Sequence, residues 1–176
     1  MQCPSCKSTS LKPIKLQQRL PARQCTKCRG LLIDLLSYRE WAENHIQPEF
    51  ISPPKLEEVE DTSKALICPK CSKIMLKFRI TGETKNKVDV CQSCDEAWLD
   101  EGEWELLGSL KIQDKLNAIF TDPWQRNIRE ESAKKAQEQR FEDLLGPDQY
   151  AKLSDIKNWI NGHPNRDDLI RYILNT

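Results

Sequence analysis

Apolar and polar positions along this chain fall into a pattern that occurs twice. In residues 75–80, "MLKFRI", Leu76, Phe78 and Ile80 alternate with other residues, which predicts a strand with one apolar face. "TGETKNK" then supplies a turn, and "KVDVC" returns with Val88 and Val90 inward. "AWLD" predicts a short third strand, and a helix follows it. Asp100 is placed to cap that helix, and the acids after it suit the positive end of the helix dipole. Residues 11–41 repeat the plan more weakly. "LKPIKL" and "LPARQC" are strands that Pro13 and Pro21 confine to edge or bulge positions. "GLLID" is the third strand, and Ser37 to Glu40 fits a capping box opening the helix. Tyr38 and Trp41 in one helix, like Trp104 and Leu107 in the other, stand three apart on one face.

The pattern changes after residue 110. Residues 109–121 read as helical, with Leu110, Leu116 and Ile119 or Phe120 as anchors. Pro123 suits the first turn of a longer helix running to Leu145. Arg126–Glu130, Glu130–Lys134 and Glu131–Lys135 are i,i+4 ion pairs, and almost no apolar stripe lies between Ile128 and Phe141. This predicts a solvated helix about 35 Å long. Gly146-Pro147 ends it. Tyr150, Leu153, Ile156 and Ile160 mark an amphipathic helix, and "RDDLIRYIL" a last short one. Two such helices bury little alone, so they are expected to dock on each other, on the repeats or on a second subunit.

The expected fold class is α+β, with two small units, each a short antiparallel ribbon plus one helix, and then a helical arm. The boundaries read 1–46 and 66–110 for the units, with an acidic, Pro-bearing linker at 47–65 and the arm at 111–176.

Eight cysteines sharpen this picture. They form four CxxC pairs: Cys3/Cys6, Cys25/Cys28, Cys68/Cys71 and Cys91/Cys94. The first two pairs map onto the last two at offsets of 65 and 66 residues. At the second offset Leu32-Ile33-Asp34 falls on Trp98-Leu99-Asp100. Two CxxC turns brought together by a hairpin supply a tetrahedral four-thiolate site, so two zinc ions are expected, on these eight cysteines. A unit of about 42 residues cannot bury enough surface to fold unaided, and the metal would be part of the fold. Iron is the rival, because rubredoxin-like electron carriers use the same knuckles. The N-terminus has no apolar signal region and no run of about 18 apolar residues exists, so a cytoplasmic protein with reduced thiols and no membrane contact is expected.

"CPKC", "VDVCQSC" and "WLDEGEWELL" in the second unit resemble the transcription-factor-IIB-type zinc-ribbon family of bacterial proteins. "CPSC", "CTKCRG" and "LID" carry the same likeness in the first. The resemblance covers about residues 1–45 and 66–110 and implies that all eight cysteines are zinc ligands. Many members have glycine just after the second cysteine of each knuckle. Lys7, Arg29, Ser72 and Asp95 stand there in this chain.

Charge gives weaker pointers to function. Residues 1–33 hold seven bases and one acid, Asp34, follows them directly. Lys12, Lys15, Arg19, Arg23, Lys77 and Arg79 are candidate phosphate contacts. Against this, zinc-bound thiolates attract cations in any case. The formal net charge of +0 falls to −4 once eight thiolates are set against the four charges of two zinc ions. Asp95, Glu96, Glu101 and Glu105 are candidates for docking a basic partner. No nucleophile–base set, phosphate loop or nucleotide fingerprint is present, and no enzyme is expected. The expectation is an adaptor or regulator in transcription or translation, docking on a protein or ribonucleoprotein. Direct nucleic-acid binding is the alternative, and the sequence leaves a dimer through the helical arm open.

Overall fold

The computed structural model describes residues 1–7, 10–44 and 63–175. Most of the expected linker at 47–65, and His45, lie outside them. The chain divides into two compact units, Met1–Arg129 and Glu130–Thr176.

Both repeats lie in the first unit, and they form one sheet. The strands are β1 (Leu11–Lys15), β2 (Pro21–Cys25), β3 (Leu31–Asp34), β4 (Leu76–Arg79), β5 (Lys87–Cys91) and β6 (Glu96–Leu99). Their order is β1-β2-β3-β6-β5-β4, antiparallel throughout. Each ribbon has the expected three strands. The two are not separate modules, because their third strands pair: Leu31 with Leu99, Leu32 with Trp98, Ile33 with Ala97, Asp34 with Glu96. At the repeat offset of 66, Leu32 and Trp98 are equivalent residues that face each other. A pseudo-twofold axis therefore passes through this pair and relates one ribbon to the other.

Pro13 and Pro21 sit where their chemistry allows. Pro13 is in β1, an edge strand, and Pro21 is the first residue of β2. The other edge, β4, is covered from downstream. The Gln125 side-chain amide accepts from the Arg79 N–H at 3.3 Å and donates to the Arg79 carbonyl at 2.8 Å. It satisfies both edge groups of that residue and blocks pairing with another chain there.

One face of the sheet carries helices α1 (Leu35–Glu43), α2 (Glu103–Ser109) and α3 (Leu116–Ile119). Their core holds Tyr38, Trp41, Trp104, Leu107, Leu116 and Ile119 over Ile33, Val88, Val90, Ala97 and Leu99. The equivalent helices meet through Trp41 and Trp104, with ring centroids 5.5 Å apart. The compact unit runs past residue 110 because Leu116, Ile119 and Ile128 are buried. Leu76, expected inward with Phe78 and Ile80, is exposed instead, since β4 is an edge.

The two helix starts use opposite halves of one device. Asp34, not Ser37, is the N-cap of α1, and its carboxylate accepts from the Ser37 N–H at 2.9 Å. In the second ribbon Glu103 stands at the position of Ser37, and its carboxylate accepts from the Asp100 N–H at 2.9 Å. The N-cap of α2 is Gly102, at φ 84°, and Asp100 takes the Trp98 indole N–H instead.

Tyr38 ties α1 to the segment before α3. Its hydroxyl donates to the Gln113 carbonyl at 2.6 Å and accepts from the Leu116 N–H at 2.8 Å, both buried. Tyr38→Phe strands two buried backbone groups, at about 1–3 kcal/mol each. Urea unfolding of the variant is expected to show a loss of about 2–4 kcal/mol with zinc content unchanged.

The second unit contains the rest of α4 (Asp122–Leu145), then α5 (Pro147–Gly162) and α6 (Arg166–Leu174). Ile128 is the one buried residue of α4, as its polar sequence predicts.

Candidate metal centres

The opposite face of the sheet holds the cysteines. Each ribbon brings its first CxxC turn, before the first strand, against its second, which ends the second strand. The two groups are Cys3, Cys6, Cys25, Cys28 and Cys68, Cys71, Cys91, Cys94. In each, all four sulfurs lie within 4.8 Å of one another. Cys3 and Cys28 Sγ are 3.5 Å apart, Cys6 and Cys25 3.6 Å, and Cys71 and Cys91 3.5 Å. A tetrahedron with Zn–S bonds of about 2.3 Å has edges of roughly 3.8 Å. A disulfide needs about 2.05 Å, and all eight cysteines are free thiols. The donor set therefore fits two zinc ions, one per group.

The four knuckles share one backbone conformation. Lys7, Arg29, Ser72 and Asp95 have φ of 53°, 54°, 60° and 56°, the left-handed region that favours glycine. Each donates its N–H to the carbonyl of the first cysteine of its pair, at 3.1, 3.0, 2.9 and 2.9 Å. The turn is kept without glycine, at a steric cost of roughly 1–2 kcal/mol per residue that metal ligation offsets. Backbone amides also point at sulfur: those of Ser5 and Cys6 at Cys3, and of Lys70 and Cys71 at Cys68. These bonds stabilise thiolate. Without a cation they lose to burial, which pushes the thiols of Cys3, Cys28 and Cys68 up. Contact with Cys71 pushes Cys94 up to about 12. The Lys73 amide holds Cys71 down at about 7. A dication must displace these protons, so metal affinity falls as pH falls.

Trp98 lies beside both centres. It is fully buried in a cluster with Leu11, Leu32, Leu66, Met75 and cysteines of both groups. Gly30 makes room for it: a Cβ there would stand 2.2 Å from the indole Cζ2. Across the pseudo-twofold axis the same places hold Leu32 and Glu96. The smaller Leu32 leaves room for the buried Glu96 carboxylate and for an open groove of about 730 Å³. Pro13, Pro21 and Leu32 give the groove apolar walls, and Lys15, Arg23 and Lys70 give it cations.

The acids resolve differently from their sequence pattern. Glu96 is buried and ion-pairs with Lys70. Asp95 meets Arg39 at 2.5 Å, and Glu101 meets Arg29 at 3.0 Å. The last two pairs join the ribbons, and the Leu35 N–H donating to the Asp95 carbonyl at 2.8 Å extends the seam. Three of the four docking candidates are thus engaged within the chain, and Glu105 is exposed. The six basic candidates do not converge. Lys77 ion-pairs with Asp89 at 2.7 Å, and Arg79 donates to the Thr84 carbonyl. Lys15 and Arg23 line the groove. Arg19 lines a separate depression with Glu40 and Trp41, and Lys12 is exposed on β1.

A continuous antiparallel sheet with two four-cysteine clusters on one face defines a tandem zinc-ribbon protein. Residues 2–44 match the family model described as transcription factor zinc-finger, of the IIB-type zinc ribbon. The first ribbon belongs to that family, and the cluster at residues 68–94 fits a second copy. No curated protein and no solved structure matches the chain. No helix among the described residues is long and apolar enough to cross a membrane.

Proposed function

We propose that this chain is a non-enzymatic, zinc-clamped docking protein, an adaptor or regulator in transcription or translation, whose groove on the metal face receives an acidic segment of a protein or ribonucleoprotein partner. The groove's unbalanced charge carries the proposal. Asp34 is engaged in capping α1 and Glu96 in pairing with Lys70. Among the described residues Lys15 and Arg23 have no carboxylate partner, although Arg23 does contact Met1 Sδ at 3.6 Å. Apolar walls with free cations suit a complementary acidic surface. The zinc centres act by rigidity, since a four-thiolate site keeps no open position for a water or substrate.

The test is affinity capture from the cell of origin with the intact protein and with Lys15→Glu/Arg23→Glu, each with and without nuclease. A specific partner retained by the intact chain, lost by the variant and indifferent to nuclease is the expected result. Equal capture by both proteins overturns the groove assignment. Capture abolished by nuclease assigns the contact to nucleic acid.

A further inference from the structure

The second unit, Glu130–Thr176, presents apolar surface that its own fold does not cover. Neither α5 nor α6 has a single buried residue, though the two helices touch. Leu144, Leu153, Ile156, Trp159, Tyr172 and Leu174 are all exposed, Tyr172 and Leu174 by 76% and 78%. Together they offer on the order of 800 Å² of surface, about what one partner contributes to a standard stable interface. Helices of 16 and 9 residues are marginal in water by themselves. A helical pair without a core does not offset the entropy of ordering it.

The charge on this pair of helices selects the occupant. Lys152, Lys157, Arg166 and Arg171 are matched by Asp148, Asp155, Asp167 and Asp168, so with neutral His163 the stretch carries no net charge. A nucleic-acid backbone or an anionic membrane surface gains nothing from a neutral face. Two copies of a neutral, mixed-sign face meet without like-charge repulsion. A surface that needs cover as soon as it folds is best served by a partner present in equal amount, and twofold self-association is the commonest such solution.

We propose that the chain is a homodimer in which the α5–α6 face of one copy packs on the same face of another. This stands independently of the groove's partner. A dimer would hold two grooves, so a repetitive partner would bind with avidity beyond that of one site.

Sedimentation velocity of the full-length, zinc-loaded protein across the micromolar range tests it. Twice the chain mass of 20.5 kDa is expected. Ile156→Glu/Trp159→Glu is expected to sediment as a monomer that retains two zinc ions. Tyr172→Ser/Leu174→Ser, a milder change on the other helix, should raise the dimer dissociation constant at least tenfold. A wild-type protein of single-chain mass throughout the range overturns the proposal. So does a variant pair that dimerises as tightly as wild type, and so does a monomer whose α5–α6 face instead captures a different protein.

Discussion

Cys91→Ser is expected to leave one zinc ion per chain and to destabilise both ribbons, not one. Structural zinc in small domains contributes on the order of 10–16 kcal/mol at neutral pH, as much as the whole stability of an ordinary domain. Cys91 ends β5, β5 pairs with β6, and β6 pairs with β3 of the first ribbon. A second ribbon without its metal therefore removes the neighbour that covers Leu31, Leu32 and Ile33. The first centre should lose its zinc to a chelator markedly faster in the variant than in the wild type. Elemental analysis and a colorimetric chelator time course measure both effects. Two zinc ions retained with unchanged thermal unfolding would sink the structural role of the site. Loss of one ion with an unchanged chelation rate at the other would mean that the ribbons stand independently despite their shared sheet. Lowering the pH should act on both centres in the same direction, because returning protons to the thiols displaces the metal.

The metal ligands were legible in the sequence because ligation is local. Two residues between thiols fix each knuckle, and the hairpin fixes which knuckles meet. The doubled plan was legible too, since equal offsets join the cysteines to the apolar residues behind them. The seam between ribbons had a signal that is harder to weigh. Leu31-Leu32-Ile33 and Ala97-Trp98-Leu99 are unbroken apolar runs, which suit a strand covered on both faces at the centre of a sheet. In runs this short, the same pattern also fits the last strand of a small module. The acids were not legible at all. Asp95 finds Arg39 and Glu101 finds Arg29 at distant points of the sequence, and no periodicity reports such partners. Asp95 shows the same limit in its backbone. Its left-handed turn is imposed by the knuckle, although intrinsic preference favours glycine there.

Gly30→Ala is expected to destabilise the protein by about 3–5 kcal/mol, the range for losing a buried tryptophan's packing. The added Cβ would stand 2.2 Å from Trp98 Cζ2, and the ring has nowhere to go. It is fully buried, and its N–H is held by Asp100 at 2.9 Å. The pseudo-twofold axis supplies the control. Across it Leu32 stands where Trp98 does, and the residue facing it, Glu96, carries a full side chain. Leucine at position 98 should therefore tolerate a side chain at position 30. Trp98→Leu alone is expected to cost about 2–4 kcal/mol through lost volume. In that background Gly30→Ala should cost under about 1 kcal/mol, a coupling of several kcal/mol in a double-mutant cycle. Costs that simply add would show that Gly30 is required by its own backbone and not by the indole. Strong coupling would establish that one large ring at the axis, accommodated by one glycine, distinguishes the two ribbons and leaves the groove beside Leu32 open.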